Sequence, residues 1–183
     1  MSSHKRIKNG TNRRQMISAL CLAALLPLGG CFKPLYGQRI LADGSSLLDV
    51  LRQINVAAAG NRTDQFFRNE LLFLLRGGKG ALEPAKYRLE HQITQRISAV
   101  SVQVLSDVPQ SLILNLNVVY TLWNIDENKV VLQGTSFAEA SFTFSNQRFA
   151  NSRAQIDAQE RAAKVIADEV RTRLAAFLAS QTS

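Results

Sequence analysis

Between Ser111 and Asn124 the large apolar side chains fall on every second residue: Leu112, Leu114, Leu116, Val118, Tyr120 and Leu122. A period of two belongs to an extended strand with one face on a core. At about 3.3 Å per residue such a strand is near 45 Å long, beyond the usual range for globular proteins. The intervening positions are mixed: Ile113, Asn115, Asn117, Val119, Thr121 and Trp123. One side of the sheet is therefore apolar and the other half polar.

The segments around it extend this pattern. A first strand is expected over Val50–Ala58, with Val50, Ile54, Val56 and Ala58 in one phase and Gln53 and Asn55 in the other. Asn61-Arg62-Thr63-Asp64 supplies a turn and a helix N-cap. The helix should run to Arg76, with Phe67, Leu71, Leu74 and Leu75 as its stripe. Phe66, Leu72 and Phe73 widen that stripe and predict burial of most of the circumference. Gly77 and Gly78 suit a left-handed C-cap. A second strand starts near Lys86, with Tyr87, Leu89, His91, Ile93 and Ile97 on one face and Arg88, Glu90, Gln92, Thr94 and Arg96 on the other. Beyond Ala99 the apolar phase passes to Val100, Val102 and Val104, predicting a bulge or bend, and Asp107-Val108-Pro109-Gln110 reads as a turn. Asp126–Lys129 reverses the chain into a fourth strand, Val130–Phe144, with Val130, Leu132, Ala138, Ala140, Phe142 and Phe144 in phase. A last helix is expected from Ser152 to Ala179, striped by Ile156, Ala163, Ile166, Val170, Leu174, Phe177 and Leu178. Asp157/Arg161, Glu160/Lys164 and Glu169/Arg173 are acid-before-base pairs on its solvated face. The order β-α-β-β-β-α predicts an α+β domain with two helices packed on one face of a long four-stranded sheet. The half-polar face is where a partner should be sought.

The chain of 183 residues has a formal charge of +8, which invites a nucleic-acid reading. The distribution argues against it. Lys5, Arg6, Lys8, Arg13 and Arg14 precede every acidic residue, and residues 31–183 carry 17 basic against 14 acidic side chains. The basic start is followed by an apolar run, Met16–Leu28, of signal-peptide length and too short for a comfortable membrane span of about 20 residues. Arg13-Arg14 resembles a twin-arginine export phrase and leaves the export route open. Residues 1–30 are thus read as a signal peptide, residues 31–46 as a tether rich in Gly, Pro and small polar residues, and residues 47–183 as the single α+β domain.

Leu28-Gly29-Gly30-Cys31 resembles a bacterial lipobox. Glycines let an extended backbone enter a peptidase cleft, and the thiolate is the nucleophile that takes up a diacylglyceryl group. The resemblance implies cleavage before Cys31 and acylation there, which exceeds the two signals needed for stable anchoring. Phe32, which is not an aspartate, favours the outer over the inner membrane by analogy with lipoprotein sorting in Gram-negative bacteria. Cys21 leaves with the apolar run, so the mature chain would hold a single cysteine and no internal disulfide.

Residues suited to chemistry are scarce. His91 is the one histidine of the mature chain and lies in an apolar phase, the position of a hydrogen-bonded core residue. Gly77-Gly78-Lys79-Gly80 closes a helix, whereas a phosphate loop opens one. Asp126/Glu127 and Asp168/Glu169 sit in a turn and on a charged helix face. No metal, cofactor or catalytic residue is expected, and a lipid-anchored binding or assembly domain fits better than an enzyme.

Cys31-Phe32-Lys33-Pro34-Leu35-Tyr36-Gly37 resembles the start of mature LptE, the lipopolysaccharide-assembly lipoprotein family, in its alphaproteobacterial form. The family phrase carries a glycine between Cys and Phe, which this chain lacks. Asp64–Leu71 is similar to the family's first helix, Tyr87-Arg88-Leu89 to the start of its second strand, and Phe149-Ala150-Asn151 with Ala167-Asp168-Glu169-Val170 to its end. The resemblance implies two helices on a four-stranded sheet and no bond-changing activity. It also implies a plug inside the LptD outer-membrane β-barrel that assists barrel assembly and binds lipopolysaccharide during insertion at the outer membrane. Lipopolysaccharide is anionic, so basic residues at sheet edges and loops are the candidate contacts: Arg76, Lys79, Lys86, Arg88, Arg96 and Lys129. The alternative is an auxiliary lipoprotein of another envelope lipid transporter or secretion pore, which the identity of a co-purifying partner would separate.

Overall fold

The computed structural model describes residues 44–100 and 110–181. The elements are α1 (Leu47–Arg52), β1 (Ile54–Val56), α2 (Arg62–Arg76), β2 (Tyr87–Ala99), β3 (Gln110–Asn124), β4 (Lys129–Phe144) and α3 (Arg148–Ser180). The fold is α+β. Its sheet has the order β1-β2-β3-β4, with β1 parallel to β2 and the other pairs antiparallel.

The alternation in β3 holds along its length. Leu114, Leu116, Val118, Tyr120 and Leu122 are all at most 1 % exposed, and they meet Phe67, Leu71 and Leu75 of α2 and Ala158, Ala162, Ala163, Ile166, Ala167, Val170, Leu174 and Leu178 of α3 in one core. Alanines make up half of the buried stripe of α3, and their small side chains let the long helix lie close to its neighbours. α2 begins at an Asn61 cap whose Oδ1 accepts from the Asp64 N–H at 3.0 Å, and it ends at Gly77 in the left-handed region, φ 58°.

Five expectations need correction. Residues 47–52 are helical, so the expected strand Val50–Ala58 shrinks to Ile54–Val56. Leu47, Val50, Leu51 and Ile54 recur at a helical period, and an Asp49–Arg52 pair at 3.0 Å, one turn apart, reinforces it. Val130 lies on the face opposite Leu132, because Leu122 pairs with Leu132 and Trp123 with Val130, leaving Val131 as the extra residue of a bulge. The third concerns α2, which is buried only along one stripe: Phe73 is 62 % exposed. Finally, α3 starts at Arg148, four residues before Ser152, and Gln110 belongs to β3 and not to a turn. The expected turn residues Asp107–Pro109 and the phase of Val102 and Val104 lie outside the described residues.

Candidate functional site

Both long helices pack on the face carrying the even positions of β3, so the other face of the sheet is left uncovered by them. Strand register arranges that free face in rows. Arg88, Trp123 and Val130 form one row, followed by Glu90, Thr121 and Gln133, then Gln92, Val119 and Thr135, then Thr94, Asn117 and Phe137, then Arg96, Asn115 and Glu139. Phe137 is 73 % and Val119 48 % exposed, amid amides, hydroxyls and a few charges. Phe137 and Val119 stand on diagonal positions of neighbouring strands, so they form one apolar spot on an otherwise mostly polar face.

One end of this face carries a linked cluster. Trp123 Nε1 donates to Glu90 Oε2 at 3.2 Å, Arg88 Nε lies 3.2 Å from Glu90 Oε1, and the Arg88 guanidinium stands 5.7 Å from the Trp123 ring centroid. Glu90 thereby orients both the indole and the guanidinium, and the cation lies over the ring's electron-rich face.

Five of the six basic residues expected to contact an anion gather toward this end. Lys86 precedes β2, its carbonyl accepting from Ile125 N–H at 2.9 Å, and Lys129 opens β4 opposite Asn124. Arg76 closes α2, and Lys79 follows in the loop whose Gly80 carbonyl accepts from Arg52 Nε at 3.0 Å. Arg88 is the fifth and is already paired with Glu90. Arg76 Nε is buried and meets no hydrogen-bond partner among the described residues. The charge here is mixed, because the β3–β4 turn places Asp126 and Glu127 beside Lys129. Burial, and secondly the Glu127 carboxylate, push the Tyr87 phenol above its usual range. Arg96 stands apart, eight residues up the same face of β2, roughly 27 Å from Arg88 at strand spacing.

His91 sits where its phase put it. Its side chain is almost fully buried, Nε2 meets Asp64 Oδ1, and its ring centroid is 5.0 Å from that of Phe67. Asp64 Oδ2 also accepts from the Gly60 N–H at 2.6 Å, so the pair clasps the start of α2 to β2. Among the described residues no group of His, Cys, Asp and Glu is placed to hold a metal, and no helix is long and apolar enough to cross a membrane.

Sequence reasoning missed the opposite end of the domain. A cavity of about 570 Å3 opens there between Ile97, Leu112, Phe142 and Phe144 at the strand ends and Arg148, Asn151 and Gln155 of α3. Asn151 shapes its wall: Oδ1 accepts from Ser145 N–H at 2.7 Å, and Nδ2 donates to the Ser145 carbonyl at 2.6 Å. Arg148 is the one charged residue among the described residues of the lining, and no motif marked it.

The sequence pattern of the LptE family, described as lipopolysaccharide-assembly, matches residues 51–174. The chain belongs to the LptE family. Its fold is shared by a crystal structure described as that of a lipoprotein from Caulobacter crescentus CB15, at 23 % identity and TM-score 0.62, covering 75 % of this chain and 98 % of that one. The rare lipoprotein B of Shewanella oneidensis follows at 10 % identity and TM-score 0.51, covering 71 % of this chain and 97 % of that one. A minor lipoprotein of Acinetobacter baumannii matches at 17 % identity and TM-score 0.50, with 67 % and 90 % covered. No curated protein matches by sequence. Membership of the LptE family places this chain in lipopolysaccharide assembly, the work of a family of non-enzymatic envelope lipoproteins.

Proposed function

We propose that this protein is an outer-membrane lipoprotein, anchored through acylated Cys31, that plugs an LptD-type β-barrel and assists insertion of lipopolysaccharide at the outer membrane. Residues 1–30 act as the signal peptide, residues 31–46 as the tether, and residues 47–183 as the periplasm-facing domain. The match to the LptE family over residues 51–174 carries the reading. The free sheet face supports it, because a barrel lumen is polar and wet. A plug needs a rigid surface with polar groups and a few anchoring aromatics, which Trp123, Phe137 and the amides around them supply. Lys79, Lys86, Lys129 and Arg76 are the proposed contacts for lipopolysaccharide phosphates, with Arg88 and Arg96 as further contacts on the free face.

Detergent extraction of the native membrane tests the reading. The full chain should co-purify with a β-barrel several times its mass and with lipopolysaccharide; extraction alone under mild conditions would sink it. Cys31→Ala should abolish incorporation of labelled fatty acid, and persistent labelling would show that the anchor lies elsewhere.

A further inference from the structure

The two edges of the sheet are treated differently. On β4, α3 reaches over and caps outward carbonyls: Arg161 Nη2 donates to Ser141 O at 2.9 Å and Arg173 Nη1 to Thr135 O at 2.6 Å. On the other side β1 spans only three residues and covers β2 from Tyr87 to Leu89. Past Leu89, β2 continues for ten residues to Ala99.

Alternation decides which groups that edge offers. Ala57 N–H donates to Leu89 O at 2.9 Å and Tyr87 N–H to Gln53 O at 3.3 Å, so odd residues of β2 turn their backbone groups toward β1. Lys86 O and Val100 N–H bond to Ile125 and Ser111 instead, as even residues should, while the Lys86 N–H, one residue before the strand, still shares Gln53 O with Tyr87. His91, Ile93, Gln95, Ile97 and Ala99 therefore direct N–H and C=O outward past the end of β1. No hydrogen bond within the described residues reaches those outward groups. Every residue from Thr94 to Ala99 is exposed, and the stretch holds no proline and no lysine, the residues that usually blunt an edge.

We propose that this edge, His91 to Ala99, is a docking site for an extended segment of another polypeptide, which adds a fifth strand to the sheet. Alternating donors and acceptors along a strand are matched by another extended backbone. The side chains narrow the partner. Ile93 and Ile97 on the helix-side face call for apolar residues in one phase of the incoming strand. Arg96, the only formal charge between His91 and Ala99, calls for a carboxylate in the other. A second copy of this chain fits worse. To clear β1, an antiparallel copy must centre on Gln95, and that register sets the two Arg96 side chains diagonally on one face, where like charges repel.

The probe is a blocked nonapeptide alternating valine with threonine and glutamate, added to the full chain in detergent, with amide exchange read residue by residue. Exchange at His91, Ile93, Gln95 and Ile97 should slow about tenfold, as new strand hydrogen bonds form, while even residues stay as they were. Replacing glutamate by lysine in the peptide should weaken the effect. Ile97→Pro removes one outward N–H and leaves every bond to β3, so the variant should fold and lose the protection, whereas Ile97→Val should keep it. Absence of slowing, or slowing that survives Ile97→Pro, overturns the proposal. So does slowing that grows with protein concentration and no peptide, which would assign the edge to self-pairing.

Discussion

At Gly134 the fourth strand passes directly beneath Tyr120, its partner across the ladder, and a Cβ there would collide with the phenol ring. Tyr120 is 1 % exposed, so the ring has little room to move. Gly134→Ala should therefore lower stability by about 1–3 kcal/mol, the usual range for forcing extra volume into a packed core. A urea midpoint that drops at unchanged slope would show it; an unchanged midpoint would mean the ring rotates freely aside. Tyr87, four residues before the Tyr120 partner His91 on β2, gives a second test. Burial first, and Glu127 second, hold its phenol protonated to higher pH than in the unfolded chain. As pH rises past the ordinary tyrosine range the unfolded state loses its proton first, so stability contributed below that range is lost. Tyr87→Phe should flatten that alkaline decline in a pH series of thermal midpoints, and an identical decline in the variant would refute the assignment. The inward burial of β3 was legible residue by residue, because a period of two leaves no ambiguity over fourteen positions. Val130 was not, since one bulged residue inverts the phase and only the partner strand reveals it.

Elements were legible in proportion to how long they kept one period. α2 carried both a cap and a C-terminal glycine pair, and both act as their chemistry dictates. α1 was misread because six residues hold too few turns to separate a helix from an alternating strand. In α3 the acid-before-base pairs appear as expected: Arg161 Nε lies 2.8 Å from Asp157, Lys164 Nζ 2.9 Å from Glu160, and Arg173 meets Glu169. Their pairing hid a second task. Arg161 and Arg173 also guard the β4 edge, a role no sequence spacing announces because Ser141 and Thr135 belong to another element. Exposed pairs of this kind contribute only about 0.3–0.5 kcal/mol each and a hydrogen bond about 1 kcal/mol net, so Arg161→Ala with Arg173→Ala should lower the melting temperature without unfolding the domain. The same double variant should self-associate more readily, because outward carbonyls are uncovered on a strand of 16 residues. Light scattering against concentration measures it, and a variant as monodisperse as the parent would remove the guarding role.

For the whole molecule, the two-layer arrangement leaves one sheet face to other partners and sets its two ends apart. The half-polar face was readable in the sequence, from Asn115, Asn117, Val119 and Trp123. The cavity beside Arg148 was not, because it joins three strand ends to a helix start separated by up to about 50 residues of chain. The same limit applied to Arg88, Glu90 and Trp123: each was visible as a face residue, and only the register showed that they form one cluster. An indole and a guanidinium held by a shared carboxylate are the kind of pre-ordered anchors that dominate interfaces. If the free face seats the protein in its barrel, Trp123→Ala and Arg88→Glu should each reduce the barrel recovered with the extracted protein. Loss of one such anchor costs about 2 kcal/mol or more, enough for roughly a thirtyfold weaker complex. Both side chains lie outside the core, so thermal midpoints should change little. Phe73→Ala, on a 62 % exposed position of α2, alters the other side of the domain and serves as the comparison. Barrel recovery lost in Phe73→Ala but retained in the two free-face variants would place the contact on the helices, and with it reverse the orientation of the plug.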